Sequence, residues 1–253
     1  MVYNKCMPGK NTIKTYQDHA YYHLYNRGVN KQLIFRDDQD YNVFLSYLKT
    51  YLELKDEKAL QQVIANENAP WREKAQAIKL LRLNNFFGSI ILVAYCLMPN
   101  HFLFLVKQTD ADTIDRFMNS LCTRYTMYFN RKYKWVGTIF QSVYKAVRII
   151  SDDQLLYITR YIHRNPLIKY LASKGLPLRS WKKEKEVSSR LLSTYQYSSY
   201  PNYLGIRQAD WVNPKEILDN FGTYKQTYQS FVEDTDQEEN SVRLISKLSL
   251  DEI

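Results

Sequence analysis

The stretch Ala94-Tyr95-Cys96-Leu97-Met98-Pro99-Asn100-His101-Phe102-Leu103-Phe104-Leu105-Val106 decides the fold. Two apolar runs, Ser89 to Leu97 and His101 to Lys107, flank a Met-Pro-Asn corner. This predicts two paired strands, with one imidazole at the start of the second. A lone histidine at a strand end is by itself an ordinary surface or hydrogen-bonded residue. Its companion comes later, in Tyr161-Ile162-His163-Arg164-Asn165-Pro166.

Before that pair, His19 to Val29 alternates as a strand does, with His23, Tyr25 and Arg27 on one face and Tyr22, Leu24 and Asn26 on the other. Asp37-Asp38 offers carboxylates to the positive end of a helix whose buried stripe is Tyr41, Phe44, Leu45, Leu48 and Leu52. Lys55 to Asn84 is charged and helix-favouring, and reads as one or two inserted helices, with Pro70 starting one and Trp71 fastening the insert to the body. After the strand pair, Ala111 to Tyr133 is a long helix with Ile114, Phe117, Leu121 and Tyr125 inward and Arg116, Arg124 and Arg131 outward. Thr138 to Ile150 predicts a strand with Tyr144, Ala146 and Arg148 on one side. Ser151-Asp152-Asp153 caps a last helix with Leu155, Ile158 and Ile162 as its core stripe and Tyr161 at the stripe's edge, and Pro166 ends it at Asn165. Strand, helix, strand, strand, helix, strand, helix is the order of an α+β, ferredoxin-like antiparallel sandwich. The chain divides into a basic arm (1–17), the sheet-bearing domain (18–175, with the helical insert 55–84), a basic and aromatic extension with short helices (176–232) and an acidic tail (233–253).

At 253 residues the chain can bury a full core. It has no apolar run of bilayer-spanning length and a polar start from Met1 to Lys14, so a cytoplasmic protein without a membrane is expected. Cys6, Cys96 and Cys122 are odd in number and widely spaced, which argues against a disulfide framework or a zinc cluster. Net charge is +9, yet residues 233–253 hold seven acidic against two basic side chains, which leaves +14 on residues 1–232. With 22 tyrosines and four tryptophans among those cations, the composition suits nucleic acid, and single strands above all, because their free bases stack on aromatic rings. It equally describes a tyrosine-filled core kept soluble by lysines.

Five segments in order carry a resemblance: His23 with Arg27-Gly28, Ala94 to Val106, Gly137-Thr138-Ile139-Phe140-Gln141-Ser142, Tyr161 to Pro166, and Tyr195 to Gly205. Together they resemble the REP-associated tyrosine transposases, the one-tyrosine branch of the HUH superfamily with an IS200-like transposase domain. The likeness spans His19 to Val232. It implies a ferredoxin-like domain with an HUH-type site that takes Mg²⁺ or Mn²⁺, recognises single-stranded DNA and DNA hairpins, and cuts DNA through a 5′-phosphotyrosine intermediate. Carried over residue by residue, it makes Tyr161 the nucleophile and His101 and Asn165 metal ligands. The ion would polarise the phosphodiester so that a weak phenol can displace a sugar oxygen. The likeness further implies a bacterial or archaeal, nucleoid-associated protein acting as a monomer or homodimer.

The sequence departs from the family pattern at one ligand. Residues two apart on a strand share a face, and the position two beyond His101 holds Leu103, whose isobutyl group has no lone pair. Three readings stay open: a domesticated relative that binds DNA hairpins in a regulatory role without cutting, a variant substituted to disable cutting, or another side chain in the gap. For the last, His23 is the candidate, because the first strand lies beside the one carrying His101. Arg27, Arg124, Lys145, Arg148, Arg160 and Arg164 are expected to contact phosphates, and His163 to pack rather than coordinate. An RNA-binding module is the more distant rival.

Overall fold

The computed structural model describes residues 16–176, 185–221 and 225–234. The basic arm through residue 15, most of the basic segment around Trp181 and the acidic tail past Asp234 lie outside the described residues.

Pro99 and Asn100 make the tight corner between β2 (Ile90–Met98) and β3 (His101–Gln108), which pair antiparallel with Met98 opposite His101. β1 (Tyr21–Arg27) lies on the other side of β3, and the short β4 (Lys145–Arg148) pairs with β1. The sheet order β2-β3-β1-β4 is that of a ferredoxin-like sandwich.

Because side chains alternate across a strand, each central strand feeds two cores. Leu24, Phe102, Phe104 and Val106 meet α1 (Asp38–Leu52) and α4 (Thr113–Tyr133) through Phe44, Leu48, Phe117, Leu121 and Tyr125. Tyr25, Leu103 and Leu105 meet α5 (Asp152–Ser173) through Ile158, Tyr161 and Ile162. The helices begin where the sequence says they should: Asp37 accepts from the Asp40 amide at 3.1 Å, and Ser151 from the Gln154 amide at 3.2 Å. Among the described residues no helix is long and apolar enough to cross a membrane.

Three local expectations are corrected. First, α5 does not stop at Asn165 but runs through Pro166 to Ser173. The missing N–H and the ring clash of an interior proline cost about 3 kcal/mol. Completely burying Leu167 and Leu171, four residues apart on the continued helix, returns about 1.5–3 kcal/mol each, so the longer helix wins. Second, the strand expected over Thr138 to Ile150 is confined to Lys145–Arg148. Gly137 turns the chain at φ +94°, and the segment after it meets the end of β1 and the residues just beyond through an isolated Gly28–Phe140 bridge, the Gln141 amide donating to the Arg27 carbonyl, the Val29 amide donating to the Ile139 carbonyl and Asn26 Nδ2 donating to the Ser142 carbonyl. Third, Trp71 does not fasten the insert, being 74% exposed. The insert forms α2 (Glu57–Ala65) and α3 (Trp71–Arg82), held by buried Ala77 and by Lys55 Nζ donating to the Leu81 and Leu83 carbonyls at 3.2 and 3.1 Å.

The extension completes the second core. α6 (Lys185–Thr194), α7 (Tyr200–Tyr203), α8 (Lys215–Leu218) and α9 (Lys225–Glu233) supply Leu192, Tyr200, Tyr203, Ile217 and Tyr228 to the α5 face.

Candidate functional site

His101, the first residue of β3, and Asn165, about four turns into α5, meet at the edge of the α5 face: His101 Nε2 lies 3.1 Å from Asn165 Oδ1. The other ring nitrogen, Nδ1, lies 2.8 Å from Asn100 Oδ1. A neutral imidazole has one N–H and one lone pair, so it satisfies both amides only when one of them turns its NH₂ toward the ring. Tyr161 sits one helical turn before Asn165, about 6 Å along the axis, and is buried at 7% exposure. The three residues that the family pattern assigns to one site thus converge on one face, drawn from β3 and one helix.

The rest of a metal-ligand set is not there. Leu103 is completely buried in the apolar α5 core, opposite Tyr25 and Cys96. His23 does not fill the gap. The β1–β3 register sets it against Leu105, so the Tyr25–Leu103 pair stands between it and the Arg27–His101 pair, and the strand rise puts about 13 Å between the His23 and His101 positions. Its ring packs edge-on against Tyr161 with centroids 6.1 Å apart, which makes it a neighbour of the phenol rather than of His101. Among the described residues no three His, Cys, Asp or Glu side chains gather in a way that could hold a metal ion. Two neutral donors, already hydrogen-bonded to each other, with an isobutyl group in the third position, do not fit Mg²⁺ or Mn²⁺, which want several oxygen ligands.

The expected phosphate contacts divide. Lys145 and Arg148 are exposed on the edge strand β4, and Lys145 Nζ lies 5.8 Å from the Tyr25 ring centroid. Arg27 is half-buried at the His101 end of β1, with Nε donating to Gln141 Oε1 at 3.4 Å. Arg160 and Arg164 are corrected. At 1% and 4% exposure they lie beneath α9, where both donate to the Asp234 carbonyl, and the Arg160 guanidinium rests 5.3 Å from the Phe231 centroid. Buried guanidinium groups that hold a helix in place are not available to phosphates. Arg124 belongs to a different surface, on the outer side of α4, stacked 3.7 Å from the Tyr47 centroid.

His163 packs. It is completely buried, with Nδ1 2.7 Å from the Tyr228 hydroxyl and Nε2 2.8 Å from Ser199 Oγ, and burial pushes its pKa down to about 3. The aromatic loop from Tyr195 is likewise structural: Tyr200 and Tyr203 are completely buried, and the Tyr203 hydroxyl donates to the Val93 carbonyl at 3.0 Å. Arg207, which the sequence gave no reason to single out, ties this loop down by donating to the Gln196 and Ser198 carbonyls and to Asn202 Oδ1.

Residues 73–165, from α3 to Asn165, match the family model described as Transposase IS200 like. No curated protein matches the chain. Among solved structures, the chain is similar to a REP-associated tyrosine transposase bound to a REP hairpin. The two share 13% identity at TM-score 0.39, over 80% of this chain and 91% of that one. It is also similar to the tRNA(His) guanylyltransferase of Saccharomyces cerevisiae, at 9% identity and TM-score 0.31, over 90% of this chain and 84% of that one. Both scores are low, and the sheet order, not these likenesses, carries the fold.

Proposed function

From an IS200-like transposase segment that spans the strand pair and both helices of the sandwich's second half, we infer a transposase-like DNA-binding protein whose Tyr161 corner lacks the ligands for metal-assisted cutting. The observation that carries this reading is the pairing of His101 Nε2 with Asn165 Oδ1 at 3.1 Å while Leu103, two residues on, is completely buried. The ligand is single-stranded DNA with hairpin-forming sequence, bound through the positive surface that the net charge of +9 provides. Such a protein binds and holds DNA ends without breaking them.

A second reading is favoured by the convergence of Tyr161, His101 and Asn165 on one face. In it the Tyr161 phenol oxygen bonds to a backbone phosphorus while the bond from phosphorus to the 3′ oxygen breaks. The protein then holds a 5′-phosphate as an ester of Tyr161, and the leaving strand carries away the proton on its 3′-hydroxyl.

One experiment separates them. Labelled hairpin DNA is incubated with the protein in Mg²⁺ or Mn²⁺, and covalent adducts are read on a denaturing gel. The wild-type chain should shift the DNA in a native gel and give no adduct, whereas Leu103→His should give an adduct that Tyr161→Phe in the same background abolishes. A Tyr161-dependent adduct from the wild-type chain overturns the first reading in favour of the second. Tighter binding of an RNA hairpin than of its DNA counterpart overturns both.

A further inference from the structure

On the face of α4 that points away from the sheet, and so away from the Tyr161 corner, the inserted α3 and α1 enclose a groove of about 690 Å³. Four cations line it, Arg116, Arg124 and Arg131 from α4 and Lys79 from α3, and none of the described residues lining it is acidic. At about 100° per residue the three arginines fall within an arc of about 80°, and their positions span about 22 Å of helix axis. Such a row sets cations about 10–12 Å apart along one line, which suits a polyanion laid along the helix. Arg124 is pre-set within the row: it is stacked 3.7 Å from the Tyr47 centroid, and its buried Nη1 has no hydrogen-bond partner. Leaving a guanidinium N–H dry and unpaired is costly, and an incoming anion relieves that cost.

The groove leads somewhere. It shares Asn119, Thr123 and Met127 with a second depression of about 530 Å³, lined by Asn26 and by the loop through Gln141 and Ser142. Gln141 is the residue that accepts from Arg27, and Arg27 is the β1 register partner of His101. A chain that tracks the arginines and then these neutral amides and hydroxyls arrives at the strand ends where Arg27 and His101 stand.

We propose that this groove seats single-stranded DNA: phosphates lie on Arg116, Arg124, Arg131 and Lys79, and the strand leads round the Arg27 end of β1 toward His101. α3 of the insert is then a wall of the binding channel. The volume of about 690 Å³ is that of a small-ligand site and leaves room for nucleotides of one strand. The proposal rests on the DNA-binding reading above.

The test is fluorescence anisotropy of a labelled single-stranded oligonucleotide across a salt series, with the full chain, Arg116→Gln/Arg131→Gln, Lys79→Glu, and the charge-keeping Arg116→Lys/Arg131→Lys. Arg116, Arg131 and Lys79 are exposed, so thermal unfolding of each variant should match wild type. Each lost phosphate contact flattens the slope of log K against log salt by about 0.7, so the glutamine pair should lose about 1.4 in slope and about 25-fold in affinity at 0.1 M salt. The lysine pair should keep the slope, and Lys79→Glu should weaken binding at least as much as one lost arginine. If wild type binds and the glutamine pair keeps its slope, the groove is wrong while the DNA reading stands. If wild type binds no DNA, both fall. If the glutamine pair loses duplex affinity as steeply as single-strand affinity, the occupant is a duplex and the single-strand assignment is overturned.

Discussion

On the α1–α4 face the rim of the sandwich is held by charge. Lys132 Nζ lies 2.7 Å from Asp37 Oδ1 and 2.8 Å from Asp40 Oδ1, Asp40 is completely buried, and the Tyr128 and Tyr133 hydroxyls donate to it at 2.9 and 2.8 Å. On the α5 face no such cluster of paired carboxylates and ammonium forms: His163, between the Tyr228 and Ser199 hydroxyls, joins the helix to α9 and to the aromatic loop, and the buried Arg160 and Arg164 guanidinium groups beneath α9 donate to a backbone carbonyl. The two faces also divide the functional surfaces, with the proposed strand groove outside α4 and the His101–Asn165 corner under α5. A fold closed by a carboxylate–lysine cluster on one side and by a buried imidazole and guanidinium groups on backbone carbonyls on the other should respond differently on its two sides to charge removal and to acid.

The largest effect should come from the charged side. Lys132→Met leaves the Asp40 carboxylate buried with only hydroxyls and the Arg36 amide for partners, and breaking a buried pair from one side costs about 3–5 kcal/mol. Urea unfolding at pH 7 reads this directly. A loss below about 1 kcal/mol would mean that the tyrosine hydroxyls and the amide suffice, and the contrast between the faces would weaken.

Acid should act on the His163 side first. His163 is held at about 3, against an ordinary value of 6.5, by its burial. Above pH 6.5 it is neutral whether folded or unfolded and costs nothing. As pH falls below 6.5 the unfolded chain takes up a proton that the folded chain refuses, so stability drops by about 1.4 kcal/mol per pH unit until the folded value is reached. By pH 4.5 this amounts to about 2–3 kcal/mol. On the other face the hydrogen bond from Lys132 holds the Asp37 carboxyl below its usual range, so its contribution is present above about pH 4 and is lost only below that. Stability of wild type minus that of His163→Asn, measured by urea between pH 7 and 4.5, should carry the His163 slope. A difference that stays flat over that range would place the acid sensitivity elsewhere.

The strand pair around Met98-Pro99-Asn100, the outward arginines of α4 and the caps at Asp37 and Ser151 were legible because each is a local preference that tertiary packing reinforces. Three features were not. Pro166 reads locally as a stop, and only the burial of Leu167 and Leu171 carries the helix past it. Arg160 and Arg164 read as solvent-facing cations, and only α9, more than sixty residues further on, covers them. Trp71 reads as a hydrophobic fastening, yet the short insert is tied by backbone carbonyls and Ala77 instead. Of the corner, His101, Tyr161 and Asn165 were legible through the family pattern alone, since spacing within one helix cannot say which strand end it will meet. The register that separates His23 from His101 is a property of two paired strands and is visible in neither of them singly.

The smallest effect probes the corner itself. Asn165→Ala removes one partner of a buried ring and should cost about 1–3 kcal/mol, less than the loss of Lys132, because no full charge is stranded. Asn165→Asp is more informative. If His101 Nε2 carries the proton, the carboxylate accepts it as the amide oxygen did, and stability at pH 7 should stay within about 1 kcal/mol of wild type. If instead Nε2 presents its lone pair to a turned amide, the carboxylate faces that lone pair, and the ring must take up a second proton to relieve the clash. Nitrogen NMR of the imidazole in the two proteins distinguishes the cases: an unchanged neutral ring means the donor is already Nε2. A proton that appears at Nε2 only in the variant means that in wild type the Nε2 lone pair is aimed at Asn165.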